Sequence, residues 1–135
     1  MFREIDDTML VSGQIRPDEV ARAAAQGITL IVNNRPDGEE QDQPAGAEIE
    51  AAARAAGIGY RHIPVAGGFS PDQVDAMADA LASSGGRTLA FCKSGTRSTY
   101  LWALARAQAG DDADTIIGKA GSAGYDISGL RPHLG

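Results

Sequence analysis

Short apolar runs alternate with amphipathic stretches along the whole chain. "MLVS", Met9 to Ser12, predicts a short first strand. In "RPDEVARAAAQG", Pro17 suits the first helical position, Asp18 and Glu19 the first turn, and Gly27 the stop. "ITLIVNN", Ile28 to Asn34, is a continuous β-branched run and predicts a buried strand. "RPDGEEQDQP" is polar, with turn signals at Pro36 and Asp37-Gly38. Ile49, Ala52, Ala53 and Ala56 then share one face of a helix that stops at Gly57. "GYRHIPV" predicts the next strand and "AGGF" a loop. Ser70-Pro71-Asp72-Gln73 reads as a capping box with proline at the first helical position. Val74, Met77, Ala78 and Leu81 form the apolar stripe of that helix, and Gly85-Gly86 ends it. "RTLAFC" predicts a central strand and "RSTYLWALARAQAG" the helix after it, stopped by Gly110. Two short helices, over Asp111 to Lys119 and near Tyr125, complete the chain.

Strand and helix in alternation imply an α/β domain with a central, mostly parallel sheet of four to five strands and helices on both faces. The 135 residues suffice for one such domain, 1–135, and one core. In sheets of this kind ligands sit beyond the carboxyl ends of the strands. Cys92 falls at that edge, at the end of the expected central strand.

Composition narrows the function. Hydrophobic residues make up 43% and charged residues 22%, an ordinary globular balance. A net charge of −6 argues against nucleic acid or an anionic membrane as the main partner, because both select a basic surface. The N-terminal "MFREIDDTMLVSG" carries acids and no apolar run of signal-peptide length, so a cytoplasmic protein is expected. One cysteine forms no internal disulfide. One cysteine and two histidines, His62 and His133, do not make a metal site on their own, and no cofactor is expected.

The chemistry concentrates in "FCKSGTRS", Phe91 to Ser98. An ordinary thiol is only a few per cent ionised at neutral pH, so a nucleophile needs help from its surroundings. Gly95 lets the backbone turn, the following helix offers its N-terminus, and Arg97 supplies a planar fork suited to an oxyanion. Ser94, Thr96 and Ser98 add hydroxyls, and Lys93 either raises the local potential or points into solvent. The partner these residues fit is a small anion. Candidate rim or acid residues are Arg35 and Asp37, which follow the second expected strand, and Asp72. Glu39, Glu40 and Asp42 read as a solvated face, His62 as structural, His133 as inert, and Leu101 and Trp102 as core.

"VSGQIRPDEVARAAAQGITLIVNNRPDGEE", "RHIPV", "FCKSGTRS" and "LWALA", in that order, resemble the phosphatase-like domain family named after the β-lactamase-hydrolase-like protein. The resemblance implies a cysteine-phosphatase fold of the dual-specificity type that works without a metal. It implies Cys92 as the nucleophile on phosphorus, the loop N–H groups and Arg97 as holders of the oxygens, and Ser98 as the hydroxyl that helps the thiolate leave. Family members also occur fused to a metallo-β-lactamase-like domain, so a link to that chemistry would here run through a separate protein. Three departures stand out. Only four residues, Lys93 to Thr96, separate Cys92 from Arg97. That is one fewer than in phosphatases of the superfamily, and it is the spacing of rhodanese-type sulfurtransferases. Phe91 stands where the superfamily usually has histidine, and Ala66 where it carries its aspartate general acid. The resemblance therefore implies phosphate-ester hydrolysis, with sulfur transfer through a Cys92 persulfide or a weakly active anion-binding module as alternatives.

Overall fold

The computed structural model describes residues 2–135. Its strands are β1 (Arg3–Asp6), β2 (Met9–Ser12), β3 (Ile28–Asn33), β4 (Gly59–His62) and β5 (Arg87–Phe91). Its helices are α1 (Val20–Ala25), α2 (Gly46–Ala55), α3 (Pro71–Ser83), α4 (Thr96–Gln108) and α5 (Ala113–Ser122). Single 3-10 segments at Pro17–Glu19 and Ser128–His133 flank α1 and close the chain.

The strands run in the order β1-β2-β5-β3-β4. β1 is antiparallel to β2 and every other pairing is parallel. Alternation along the strands sorts the core into two layers. Met9, Val11, Leu30, Val32 and Ala90 pack with Met77 of α3, Leu101 and Trp102 of α4 and Ile116 of α5. Leu10, Ile31, Leu89 and Phe91 pack on the opposite face with Val20 and Ala23 of α1 and Ile49 and Ala53 of α2. The expected α/β architecture with helices on both faces is therefore present.

Strand register sets the site. Ser12 pairs with Phe91, and Phe91 with Asn33, so the carboxyl ends of β2, β5 and β3 lie level across the centre of the sheet. The chain leaves that edge at Gly13, Asn34 and Cys92, three positions side by side.

Two elements differ from the expectation. β1 is an additional edge strand. Its residues are exposed or half-buried apart from Ile5, so "REID" presents no apolar run. Its turn is held by Asp6, whose carboxylate accepts from the Thr8 N–H and hydroxyl, both at 2.9 Å. The strand "GYRHIPV" is regular only to His62. Ile63 and Val65 still donate to the carbonyls of Asn33 and Asn34 at 2.9 and 3.0 Å. Pro64, between them, has no N–H for the ladder.

The capping box at the start of α3 is as expected. Ser70 Oγ accepts from the Gln73 N–H at 3.2 Å, and Gln73 Oε1 accepts from the Ser70 N–H at 2.7 Å. Leu101 and Trp102 are buried, as their place in the core requires. No helix among the described residues is long and apolar enough to cross a membrane.

Candidate active site

Cys92 leaves β5 with its N–H on the Ser12 carbonyl at 3.3 Å, while the Asn34 N–H binds the Phe91 carbonyl at 2.8 Å. Those two bonds pin the start of the loop to both neighbouring strand ends. Gly95 then takes a left-handed conformation, φ +93°, and serves as the N-cap of α4. A side chain at this position would be strained by the backbone and would overlap the Tyr125 hydroxyl.

Each carbonyl of the turn has an outward partner. The Lys93 carbonyl accepts from the Gln14 N–H at 3.4 Å. The Ser94 carbonyl accepts from the Tyr125 hydroxyl at 3.0 Å. The Gly95 carbonyl accepts from the Thr99 hydroxyl at 2.8 Å and the Thr99 N–H at 3.0 Å. A trans peptide carries its N–H opposite its C=O. Turning the carbonyls out therefore turns the N–H groups in, and the Gly95 N–H points at Cys92 Sγ at 3.1 Å. This is the geometry of an anion-binding nest.

Arg97, in the first turn of α4, lies over this concavity. Its Nη1 donates to Glu39 Oε2 at 2.8 Å and to the Val65 carbonyl at 2.7 Å, and its Nη2 donates to Glu39 Oε1 at 2.9 Å. The end-on edge of the guanidinium is thus committed to Glu39. A guanidinium has five N–H donors, so the Nε–H and one Nη2 hydrogen remain on the side-on edge. Hydrogen bonding to Glu39 holds Arg97 above its ordinary pKa, and the neighbouring Cys92 sulfur acts in the same direction.

Glu39 is shared by two arginines. Arg35 is 2% exposed and donates from Nε to Glu39 Oε1 at 2.9 Å, from Nη2 to Glu40 Oε1 at 2.6 Å and from Nη1 to Gln14 Oε1 at 3.0 Å. Burying a guanidinium is costly unless it is paired in this way. The bonds from Arg97 first, and from Arg35 after them, lower the Glu39 pKa to about 2. Glu39 and Glu40 are exposed, as a solvated face requires, but each carboxylate also binds a guanidinium of the site, which that reading missed. The spacing of Arg35 and Glu39, four residues apart, was the available signal. Asp42 forms no ion pair among the described residues.

The remaining candidates divide. Arg35 joins Arg97 through the shared carboxylate. Lys93 is exposed and lies 3.7 Å from Glu40, a surface pair of little energetic weight. Ser94 Oγ donates to Thr96 Oγ1 at 3.1 Å on the exposed lip of the turn. Ser98 is fully buried and its hydroxyl has no partner. Cys92 itself is 0% exposed, at the base of the loop. Asp37 is turned away: its Oδ1 accepts from the Gly46 N–H at 2.7 Å at the start of α2. Asp72 is exposed in the first turn of α3, and no hydrogen bond or ion pair joins it to the loop. His62 Nε2 lies 2.9 Å from the Arg35 carbonyl, a contact that braces the loop backbone. His133 sits in the closing 3-10 segment, away from the site. Among the described residues, no group of three or more His, Cys, Asp or Glu side chains is placed to hold a metal ion.

Residues 1–109 match the family model described as beta-lactamase hydrolase-like protein, phosphatase-like domain. The chain is 41% identical over 102 residues to a beta-lactamase hydrolase-like protein of Xylella fastidiosa strain Temecula1, and 36% identical over 104 residues to one of Agrobacterium fabrum strain C58. These matches take in 75% and 76% of this chain but 24% of each relative, so the chain spans about a quarter of their length. A crystal structure of a Neisseria meningitidis Z2491 protein, provisionally designated a phosphatase, superimposes with a TM-score of 0.84 at 32% identity. It covers 98% of this chain and 94% of its own. PTPMT1 in complex with PI(5)P shares the fold, with a TM-score of 0.75 at 14% identity over 98% of this chain and 91% of that one. The chain belongs to the family of phosphatase-like domains of beta-lactamase hydrolase-like proteins.

Proposed function

We propose that this domain hydrolyses phosphate monoesters through a covalent Cys92 intermediate. The observation that carries the reading is the pairing of a thiol that receives the Gly95 N–H with an arginine beside it whose Nε–H and second Nη2 hydrogen are not taken by Glu39 or Val65. A phosphoryl group seated in the nest would place two oxygens on those donors and its phosphorus over Cys92 Sγ. The thiolate attacks phosphorus, an S–P bond forms, and the P–O ester bond breaks with its electron pair leaving on oxygen. Water then attacks phosphorus, inorganic phosphate departs, and the thiolate returns. In this reading Ser98, buried one position after Arg97, would supply the hydroxyl that assists the departing sulfur.

Neither Asp37 nor Asp72 is bonded to the loop, and Ala66 stands in the segment after β4. General acid catalysis is worth about 10²–10⁴-fold. Substrates whose leaving group departs as an anion, such as aryl phosphates, escape that penalty, and we assign the activity to this class. The four-residue span from Cys92 to Arg97 favours one second reading, sulfur transfer through a Cys92 persulfide, which also needs no acid.

The test is turnover of an aryl phosphate beside thiosulfate with cyanide, each with wild type and Cys92→Ser. Phosphate release that disappears in Cys92→Ser is expected. Thiocyanate formation with the mass of one sulfur atom gained on Cys92 would replace the proposal with sulfur transfer. Retained oxyanion binding without either turnover would leave a binding module.

A further inference from the structure

The nest depends on a residue outside the segment that matches the family model. Tyr125 lies beyond residue 109, and its hydroxyl donates to the Ser94 carbonyl at 3.0 Å. The same peptide unit carries the Gly95 N–H that points at Cys92 Sγ at 3.1 Å. Its two ends are therefore held by two different groups, the phenol outside and the sulfur inside. A peptide preceding a glycine rotates easily, because glycine tolerates both halves of φ space. Rotation of this unit would bring the Ser94 carbonyl oxygen to the sulfur. A partial negative charge would then face the nucleophile and any bound anion.

Tyr125 is itself well placed for the task. The Tyr125 N–H binds the Ala120 carbonyl at 2.9 Å and the Gly124 N–H binds the Gly121 carbonyl at 3.0 Å. With Gly124 at φ +97°, these two bonds form a Schellman closure of α5 that fixes where Tyr125 begins. The Arg3 guanidinium lies 5.7 Å from the centre of the Tyr125 ring, and its Nη1 donates to the Ala123 carbonyl at 3.1 Å. Burial raises the phenol above its ordinary pKa, so the hydroxyl keeps its proton and remains a donor at neutral pH.

We infer that Tyr125 is a positioning residue of the anion loop: its hydroxyl locks the Ser94–Gly95 peptide with the N–H toward Cys92. The role rests on the phosphatase reading for its catalytic consequence, but not for its effect on the loop. Tyr125→Phe removes one oxygen and keeps the ring, so it tests the bond without opening the packing. Three measurements separate the cases. Thermal unfolding shows whether the variant remains folded. The Gly95 amide resonance in a ¹⁵N-resolved spectrum reads the contact with sulfur, with or without catalysis. Tungstate titration and aryl-phosphate kinetics read the cradle. The expected result is a near-unchanged melting temperature and a displaced Gly95 amide. Tungstate affinity should weaken roughly three- to tenfold, the scale of one neutral hydrogen bond, with kcat lowered alongside it. An unmoved Gly95 amide overturns the proposal, as does unchanged tungstate affinity where the wild type binds it. A displaced amide in a protein whose wild type neither binds tungstate nor turns over aryl phosphate supports the lock and overturns the phosphatase reading instead.

Discussion

Replacing Glu39 with glutamine removes the one carboxylate that two arginines of the site share. Lowering its pKa from 4.5 to about 2 corresponds to roughly 3 kcal/mol of differential interaction at 1.36 kcal/mol per unit. The residue is exposed, so solvent screening reduces what folding gains to about 0.5–1 kcal/mol. Arg35 keeps Glu40 and Gln14, and Arg97 keeps the Val65 carbonyl, so Glu39→Gln should fold. The sign follows from the direction of the shift. A carboxylate whose folded pKa is depressed contributes fully above its unfolded pKa, here 4.5, and loses that contribution as pH falls toward about 2. Urea unfolding at neutral pH should find the variant less stable by about 0.5–1 kcal/mol. Below 4.5 the gap should close, to less than half by about pH 3. Equal stability at neutral pH, or a gap that does not change with acidification, would refute the ion-pair account. Tungstate affinity should fall, because the Arg97 fork loses its support. A rise would mean that Glu39 competes with the anion for Arg97 and would refute its positioning role.

Other outcomes follow from the same geometry. Asp72→Asn and Asp37→Asn should each leave turnover of an alkyl phosphate, whose leaving group needs a proton, within about twofold, whereas loss of a general acid would cost about 10²–10⁴-fold in steady-state kinetics. Asp37→Asn should also weaken the start of α2, where the carboxylate holds the Gly46 N–H, and lower the melting temperature. Ser70→Ala removes the cap that accepts from Gln73 and should cost about 1 kcal/mol in chemical denaturation without altering turnover. Cys92→Ser should abolish phosphate release while tungstate still binds, because the outward carbonyl bonds of the loop do not involve the sulfur.

What the sequence determined by itself was local. The β-branched run at Ile28, the capping box at Ser70 and the stop at Gly57 each act within a few residues. Periodicity and cap chemistry therefore place their elements to within a few positions. Cys92 and Arg97 were legible for the same reason, since one turn carries both. Tertiary structure decided what surrounds them. Glu39 sits in a polar run that looks solvated, and it reaches Arg97, 58 residues away, because β3 and β5 end level on adjacent strands. Tyr125 meets Ser94 from 31 residues away, along a path set by α4, α5 and the closure at Gly124. The edge strand β1 exists because β2 leaves one side unpaired, not because "REID" favours a strand. Hydrophobic pattern specifies which face of an element is buried. The packing of those faces then sets which charges and hydroxyls meet at the strand ends, and no periodicity encodes that meeting.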